Sequence, residues 1–193
     1  MFNLKVCFGL AIAGSVFLSS FANAALDSAE QDIATKMAGR GVTNFLLLNK
    51  AKGQLVIIKN GTETGRIPAL SGRQKGDLPK DNLPITPSGI FPLILEGDLN
   101  QHHLAISFYK ERTSSYAIHP VFGTRVPKLL RSSPEDKRVT AGCINVSQSN
   151  FRQIYNVVST APSETLYDAD EQPLAVGPFL VVTTEAPPAH KPK

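Results

Sequence analysis

The chain has 193 residues, 42% of them hydrophobic and 19% charged, and a formal net charge of +4. A mild positive balance without a block of like charge argues against nucleic-acid binding, and fits an anionic polymer and ordinary solubility equally. The motifs for nucleotide-phosphate loops, His-Glu-x-x-His zinc sites, Cys-x-x-Cys pairs and Gly-x-Ser-x-Gly hydrolases do not occur.

The first residues read as a secretory signal. Lys5 supplies the positive start, Val6 to Leu18 an apolar run, and Ala22-Asn23-Ala24 a small-residue cleavage site, with cutting expected after Ala24. The apolar run is shorter than the ~20 residues of a membrane span; a retained anchor is the alternative. Without residues 1–24 the chain is about 169 residues, enough for one domain with a sizeable core and no second apolar run of membrane length. Cys7 leaves with the signal, so Cys143 stands alone. A lone thiol in an exported chain is either a small buried hydrophobe or a nucleophile, and composition does not separate the two.

Residues 25–42 form a helical lead-in, with Leu26, Ala29, Ile33 and Met37 near one face and Gly39 and Gly41 as stops. Strands are expected at Phe45–Asn49, Gln54–Lys59 and Thr62–Leu70, turned at Lys52-Gly53 and at Asn60-Gly61. A polar loop over 71–89 ends in Thr86-Pro87-Ser88-Gly89. Further strands are expected at Ile90–Leu95, Leu104–Tyr109 and Ser115–His119, followed by a long basic connection over 120–139. Phe151, Ile154, Tyr155 and Val158 share one helix face, with Ser147 or Ser149 as cap, and Leu174–Thr183 supplies two closing strands. Residues 185–193 form a disordered Pro-rich tail. The whole reads as a mainly β domain with short flanking helices.

Chemistry concentrates in one segment. His102-His103 would point to opposite faces of a strand and is a poor metal site, Asp168, Asp170 and Glu171 sit among turn residues, and His190 lies in the tail. There remains Thr140-Ala141-Gly142-Cys143-Ile144-Asn145, with His119 upstream. A thiol with an ordinary pKa near 8.5 carries little thiolate at neutral pH, and a neighbouring imidazole can take its proton and return it to a leaving amine. Gly142 lets the backbone turn sharply beside Cys143, so that their amides can meet an oxyanion. Pro120 keeps a carbonyl able to accept from the second imidazole nitrogen. A polar residue at a strand end is the plain alternative for His119.

These residues resemble the L,D-transpeptidase catalytic domain of the YkuD type. Its pattern is a His at a strand end followed by Ser/Thr-x-Gly-Cys-hydrophobic-Arg/Asn, and His119 and Thr140 to Asn145 fit it. Arg138-Val139 matches the usual lead-in, Leu46 to Leu70 the opening meander, Ser71-Gly72 a Ser/Thr-Gly step and Thr86-Pro87-Ser88-Gly89 a Thr-Pro-x-Gly segment. The resemblance implies a single sandwich or barrel-like β domain over 43–184. It implies a periplasmic enzyme that cleaves peptidoglycan stem tetrapeptides through a cysteine acyl-enzyme, and carbapenems as covalent ligands. An amine from another stem would give a 3–3 cross-link, a lipoprotein lysine would give wall attachment, and water would give L,D-carboxypeptidase activity. A hydrolase that opens cross-links or releases lipoprotein is a further reading of the same fold. A non-catalytic wall-binding protein is the reading from another class.

By position, the resemblance makes Cys143 the nucleophile, His119 the base and Pro120 the source of the orienting carbonyl. The amides of Ala141, Gly142 and Cys143 become oxyanion donors, and Asn145, Thr140 and Arg138 substrate-contacting residues. No cofactor or metal is implied, and nothing in the sequence addresses oligomeric state. Three departures stand out. Ala141 replaces the family's usual His before Gly-Cys, Pro120 replaces a Gly or Ser, and the 24-residue spacing from His119 to Cys143 implies an insertion over 124–137. The basic residues Arg125, Lys128, Arg131, Lys137 and Arg138 there either line a substrate channel or form a solvated loop.

Overall fold

The computed structural model describes residues 25–78, 83–97, 104–111 and 114–185. The segment expected to be a signal, His102-His103 and His190 lie outside them. Among the described residues no helix is long and apolar enough to cross a membrane.

Helix α1 spans Ser28–Ala38 and starts at a reciprocal cap: the Asp27 carboxylate accepts from the Glu30 amide at 2.8 Å, and Glu30 Oε2 accepts from the Asp27 amide at 3.2 Å. Leu26, Ile33 and Met37 of the expected face pack on the core, but Ala29 is exposed, and Glu30 and Ala34 are buried in its place. The cause is ionic. Glu30 accepts from Arg66 Nη2 at 2.8 Å, Arg66 Nη1 at 3.0 Å and Asn49 Nδ2 at 2.8 Å, so a paired carboxylate leads the buried side.

Strands β1 (Phe45–Asn49), β2 (Gln54–Lys59) and β3 (Thr62–Pro68) form an antiparallel meander. The β2–β3 turn has φ +50° at Asn60 and +71° at Gly61, the paired left-handed geometry that tight hairpins require. Strand β3 stops two residues short of the expected end, because Leu70 leaves its sheet to exchange two backbone hydrogen bonds with Asn145, at 2.8 and 3.0 Å. Ser71–Gly72 then forms the two-residue strand β4.

The strand expected over Ile90–Leu95 is two. β5 (Gly89–Pro92) and β6 (Ile94–Glu96) belong to different sheets, and the break falls at Leu93, whose amide turns to the Pro178 carbonyl at 2.8 Å. β7 (Ala105–Glu111) and β8 (Ser114–Pro120) follow. The long basic connection holds two 3-10 segments, Gly123–Leu130 and Glu135–Lys137, before β9 (Arg138–Thr140) and β10 (Ile144–Val146). Helix α2 (Gln148–Thr160) is capped by the Ser147 hydroxyl and buries Phe151, Ile154, Tyr155 and Val158. β11 (Glu164–Tyr167), absent from the sequence reading, pairs with β12 (Pro173–Gly177), and β13 (Phe179–Val182) closes the chain.

The main sheet has the order β3-β2-β1-β13-β5 and the second β10-β8-β7-β6. Period-two alternation divides the main sheet's side chains between two cores. Leu46, Leu48, Leu55, Ile57, Leu180 and Val182 pack with the second sheet and α2. Phe45, Leu47, Val56, Ile58, Phe179 and Val181 pack beneath α1 and β11. Burial on both faces explains why β1 and β2 read as continuous apolar runs.

Glu185, assigned from the sequence to the tail, belongs to the folded body. It pairs with Arg138, accepts from the Gly76 amide at 3.0 Å and donates its own amide to Asp77 at 2.8 Å.

Candidate active site

The site forms where β8 and β10 run side by side. Their parallel register sets Asn145 opposite His119 and Val146 opposite Pro120, so residues 26 apart in sequence become neighbours. β9 is held by β4, with Gly72 opposite Thr140. The segments singled out in the sequence thus converge: Ser71-Gly72, Thr86, His119-Pro120 and 140–145.

Cys143 is half-buried and is the free cysteine among the described residues. Burial pushes its thiol up, but a hydrogen bond with His119, a backbone hydrogen bond from Ala117 and the charge of His119 together bring it below its ordinary value. The reciprocal shift appears on His119. Its hydrogen bond with Cys143 raises the imidazole above the ordinary value, against burial and the charge of Arg125, and with help from the Pro120 carbonyl. His119 Nδ1 lies 3.0 Å from that carbonyl, which fixes a protonated Nδ1 and leaves Nε2 to exchange a proton with sulfur. Asn145 Nδ2 is 2.9 Å from Nε2 and 3.3 Å from Nδ1, nearly equidistant, so the amide lies against the ring rather than along one lone pair.

The turn carrying the thiol is braced by two hydroxyls. Thr140 Oγ1 accepts from the Gly142 amide at 3.1 Å and donates to the Cys143 carbonyl at 2.7 Å. Thr86 Oγ1 donates to the Gly142 carbonyl at 2.8 Å and accepts from the Gly72 amide at 2.8 Å. Gly142 has φ +129°, and a Cβ there would sit 2.4 Å from the Tyr116 ring and 2.8 Å from the Ile85 carbonyl, so both conformation and space demand glycine.

This geometry corrects several expected roles. The Gly142 amide already donates to Thr140 and is not an open oxyanion donor; among the described residues the Ala141 and Cys143 amides have no acceptor. Thr140 and Asn145, expected to contact substrate, are 1% and 2% exposed, and their side chains engage the turn and His119. Arg138 points into a buried ion group instead: it pairs with Glu185 and donates to the Lys50 carbonyl at 3.3 Å. Lys137 also turns inward, to the Gly53 carbonyl at 3.4 Å, whereas Arg125 and Arg131 are exposed. Asp168 caps its own turn, accepting from the Asp170 and Gln172 amides at 2.9 and 2.8 Å. Among the described residues no three His, Cys, Asp or Glu side chains converge as a metal site.

Two residues next to the site had no place in the sequence reading. Tyr116 packs against Gly142, and Lys50, 1% exposed, donates to the carbonyls of Gly76 and Thr86 and to Asp77 and Ser88. A lysine inside Asn-Lys-Ala-Lys-Gly reads as a solvated turn, and no sequence signal marks it as buried.

Residues 43–176 match the family of the L,D-transpeptidase catalytic domain, YkuD. No curated protein matches the chain. Solved structures of similar shape include an L,D-transpeptidase from Xylanimonas cellulosilytica, at 15% identity and a TM-score of 0.42, covering 74% of this chain and 61% of that one. An L,D-transpeptidase from Mycobacterium smegmatis has 14% identity, a TM-score of 0.42 and coverage of 74% and 59%. L,D-transpeptidase 3 from Mycobacterium tuberculosis, in complex with a faropenem-derived adduct, has 14% identity, a TM-score of 0.43 and coverage of 74% and 60%. The chain therefore spans less than two thirds of the length of each.

Proposed function

The chain belongs to the YkuD family of L,D-transpeptidase catalytic domains, and from that premise we propose that it is an exported cysteine acyltransferase acting on peptidoglycan stem tetrapeptides in the periplasm. The observation that carries this reading is the convergence at one turn of a half-buried thiol, an imidazole from the adjacent strand that lowers the thiol pKa, and the Pro120 carbonyl 3.0 Å from the imidazole Nδ1.

In this reading His119 Nε2 takes the Cys143 proton as sulfur attacks the carbonyl at the L-centre of the third stem residue. The developing oxyanion meets the Cys143 amide, with the Ala141 amide as a second donor. Collapse of the intermediate breaks the bond to the terminal D-alanine, whose amine leaves with the proton held on His119, and a thioester remains on Cys143. An acceptor amine then attacks the thioester, His119 removes its proton, and the thiol is regenerated. The amine of another stem gives a 3–3 cross-link and a lipoprotein lysine gives wall attachment. Export rests on the signal-like segment ending at Ala24.

Incubation with tetrapeptide muropeptides, followed by mass analysis, tests the proposal. Dimers joined 3–3 that vanish with Cys143→Ala support it. Monomeric tripeptide alone, at every acceptor concentration, makes water the acceptor and the protein a carboxypeptidase. Absence of any covalent adduct with a stem peptide or a carbapenem, with Cys143→Ala binding sacculi like the parent, makes it a wall-binding protein.

A further inference from the structure

The carbonyl of Gly142 and the amide of Cys143 belong to one planar trans peptide unit, so fixing the first fixes the direction of the second. The Gly142 carbonyl accepts from Thr86 Oγ1 at 2.8 Å. We infer that Thr86 is a positioning residue, which aims the Cys143 amide at the oxyanion formed during acylation; this rests on Cys143 being the acylated nucleophile.

Three observations point the same way. The peptide units on either side of this one are already held by Thr140, through the Gly142 amide and the Cys143 carbonyl, so the central unit is the one Thr86 determines. Thr86 is 1% exposed and is itself held at both ends: its hydroxyl accepts from the Gly72 amide at 2.8 Å, and its carbonyl accepts from Lys50 Nζ at 3.1 Å. Lys50 is locked in turn by Ser88 Oγ at 2.7 Å and the Gly76 carbonyl at 2.6 Å. The path Lys50–Thr86–Gly142 thus connects a buried ion group to the one donor of this turn that lies on the nucleophile itself. With the Gly142 amide consumed by Thr140, a rotated central unit would leave the Cys143 amide pointing away from the reacting carbonyl.

The test separates acylation from thiol reactivity in the full-length protein. Acylation by p-nitrophenyl acetate passes through an oxyanion, whereas alkylation by iodoacetamide does not; both are read at Cys143 by peptide mass. Thr86→Val should lower the acylation rate constant at saturating ester at least about tenfold, since loss of an oxyanion donor costs about 10²–10³ in rate. KM and the alkylation rate should stay within about threefold, and Thr86→Ser should restore acylation. Thr86→Ala, which adds no methyl against the Gly142 carbonyl, gives the same comparison if the valine variant does not fold. Equal loss of acylation and alkylation, or no loss of either, overturns the inference. A parent protein acylated by the ester but inert towards stem tetrapeptides sinks the peptidoglycan reading and leaves this ratio to decide the role of Thr86. A parent inert towards the ester overturns both.

Discussion

Asn145 stands opposite His119 in the parallel pairing of β10 with β8, and its side-chain amide nitrogen lies 2.9 Å from Nε2 and 3.3 Å from Nδ1. A neutral donor in that place puts partial positive charge beside the ring and so does not favour imidazolium. Asn145→Asp would replace it with a carboxylate in a position 2% exposed. The His119 pKa, already above its ordinary value, should rise further, because an adjacent carboxylate favours the imidazolium. An NMR titration of the imidazole reads this directly. The acid limb of the acylation profile should move up with it, because less neutral base remains at pH 7.

His119→Ala tests the other half of the pair. Burial raises the Cys143 thiol, and the hydrogen bond with His119 is the foremost influence that brings it down. Without the imidazole, burial prevails and the pKa should move from below the ordinary thiol value to above it. Alkylation of Cys143 at pH 7 should then slow by about tenfold or more, and its rise with pH should shift to the alkaline side. An unchanged alkylation profile would separate the two groups chemically.

Gly142→Ala adds one methyl where none fits. The new Cβ would lie 2.4 Å from the Tyr116 ring and 2.8 Å from a backbone carbonyl, at φ +129°. Ring and turn must shift together, carrying Cys143 away from His119. Acylation should fall at least about a hundredfold, in keeping with the cost of a roughly 1 Å misplacement. Chemical denaturation should show a loss of at least about 1 kcal/mol.

How far the sequence disclosed this site depends on the kind of interaction. The convergence of His119, Gly142 and Cys143 was legible because a strand-end His and a Gly-Cys turn stand in a recognisable order along the chain. β1, β2 and the buried face of α2 were legible because alternation and helical spacing are local properties. Thr140, Asn145 and Arg138 were expected to touch substrate because a linear pattern shows proximity to Cys143 but not the direction of a side chain. In the fold, one braces the turn, one lies against His119, and one enters an ion group with Glu185. That ion group depends on Lys50, Asp77, Arg138 and Glu185, spread over most of the chain. The split at Leu93 was hidden for a similar reason: only the Pro178 carbonyl, 85 residues away, shows where the strand changes sheet.

Glu30 sets an acid limit on stability. Its carboxyl, held first by Arg66 against burial and also by Asn49 and the Asp27 amide, is lowered to about 2 from an ordinary 4.5. A depressed folded-state pKa contributes stability that is complete above the unfolded value and lost as pH falls from about 4.5 towards 2. The contribution at neutral pH is roughly 3 kcal/mol. Glu30→Gln should therefore lower the urea midpoint at pH 7, and its difference from the parent should shrink as pH falls through that window. A difference that stays constant from pH 7 to pH 2.5 would assign the loss to packing rather than to charge.

Glu185 should matter far more than its place near the end of the chain suggests. Its side chain is 7% exposed and that of its partner Arg138 5%, and Lys50 Nζ lies 3.9 Å from the same carboxylate. The two buried cations, Lys50 and Arg138, thus face the buried Glu185 and two carboxylates that are more exposed, Asp77 beside Lys50 and Glu135 beside Arg138. Glu185→Ala leaves Arg138 charged with the exposed Glu135 carboxylate, 3.5 Å from its Nε, as its remaining acidic partner, and breaking a buried pair from one side costs about 3–5 kcal/mol. At about 2–4 °C per kcal/mol for a chain of this size, Tm should drop by roughly 6–20 °C. Arg138→Met in the same background removes the under-paired buried cation and should recover a large part of that loss. The single and double variants, compared by calorimetry, distinguish the two costs: if the double variant is no more stable than Glu185→Ala, the contacts of Glu185 with the Gly76 and Asp77 segment, rather than its charge, hold the end of the chain in place.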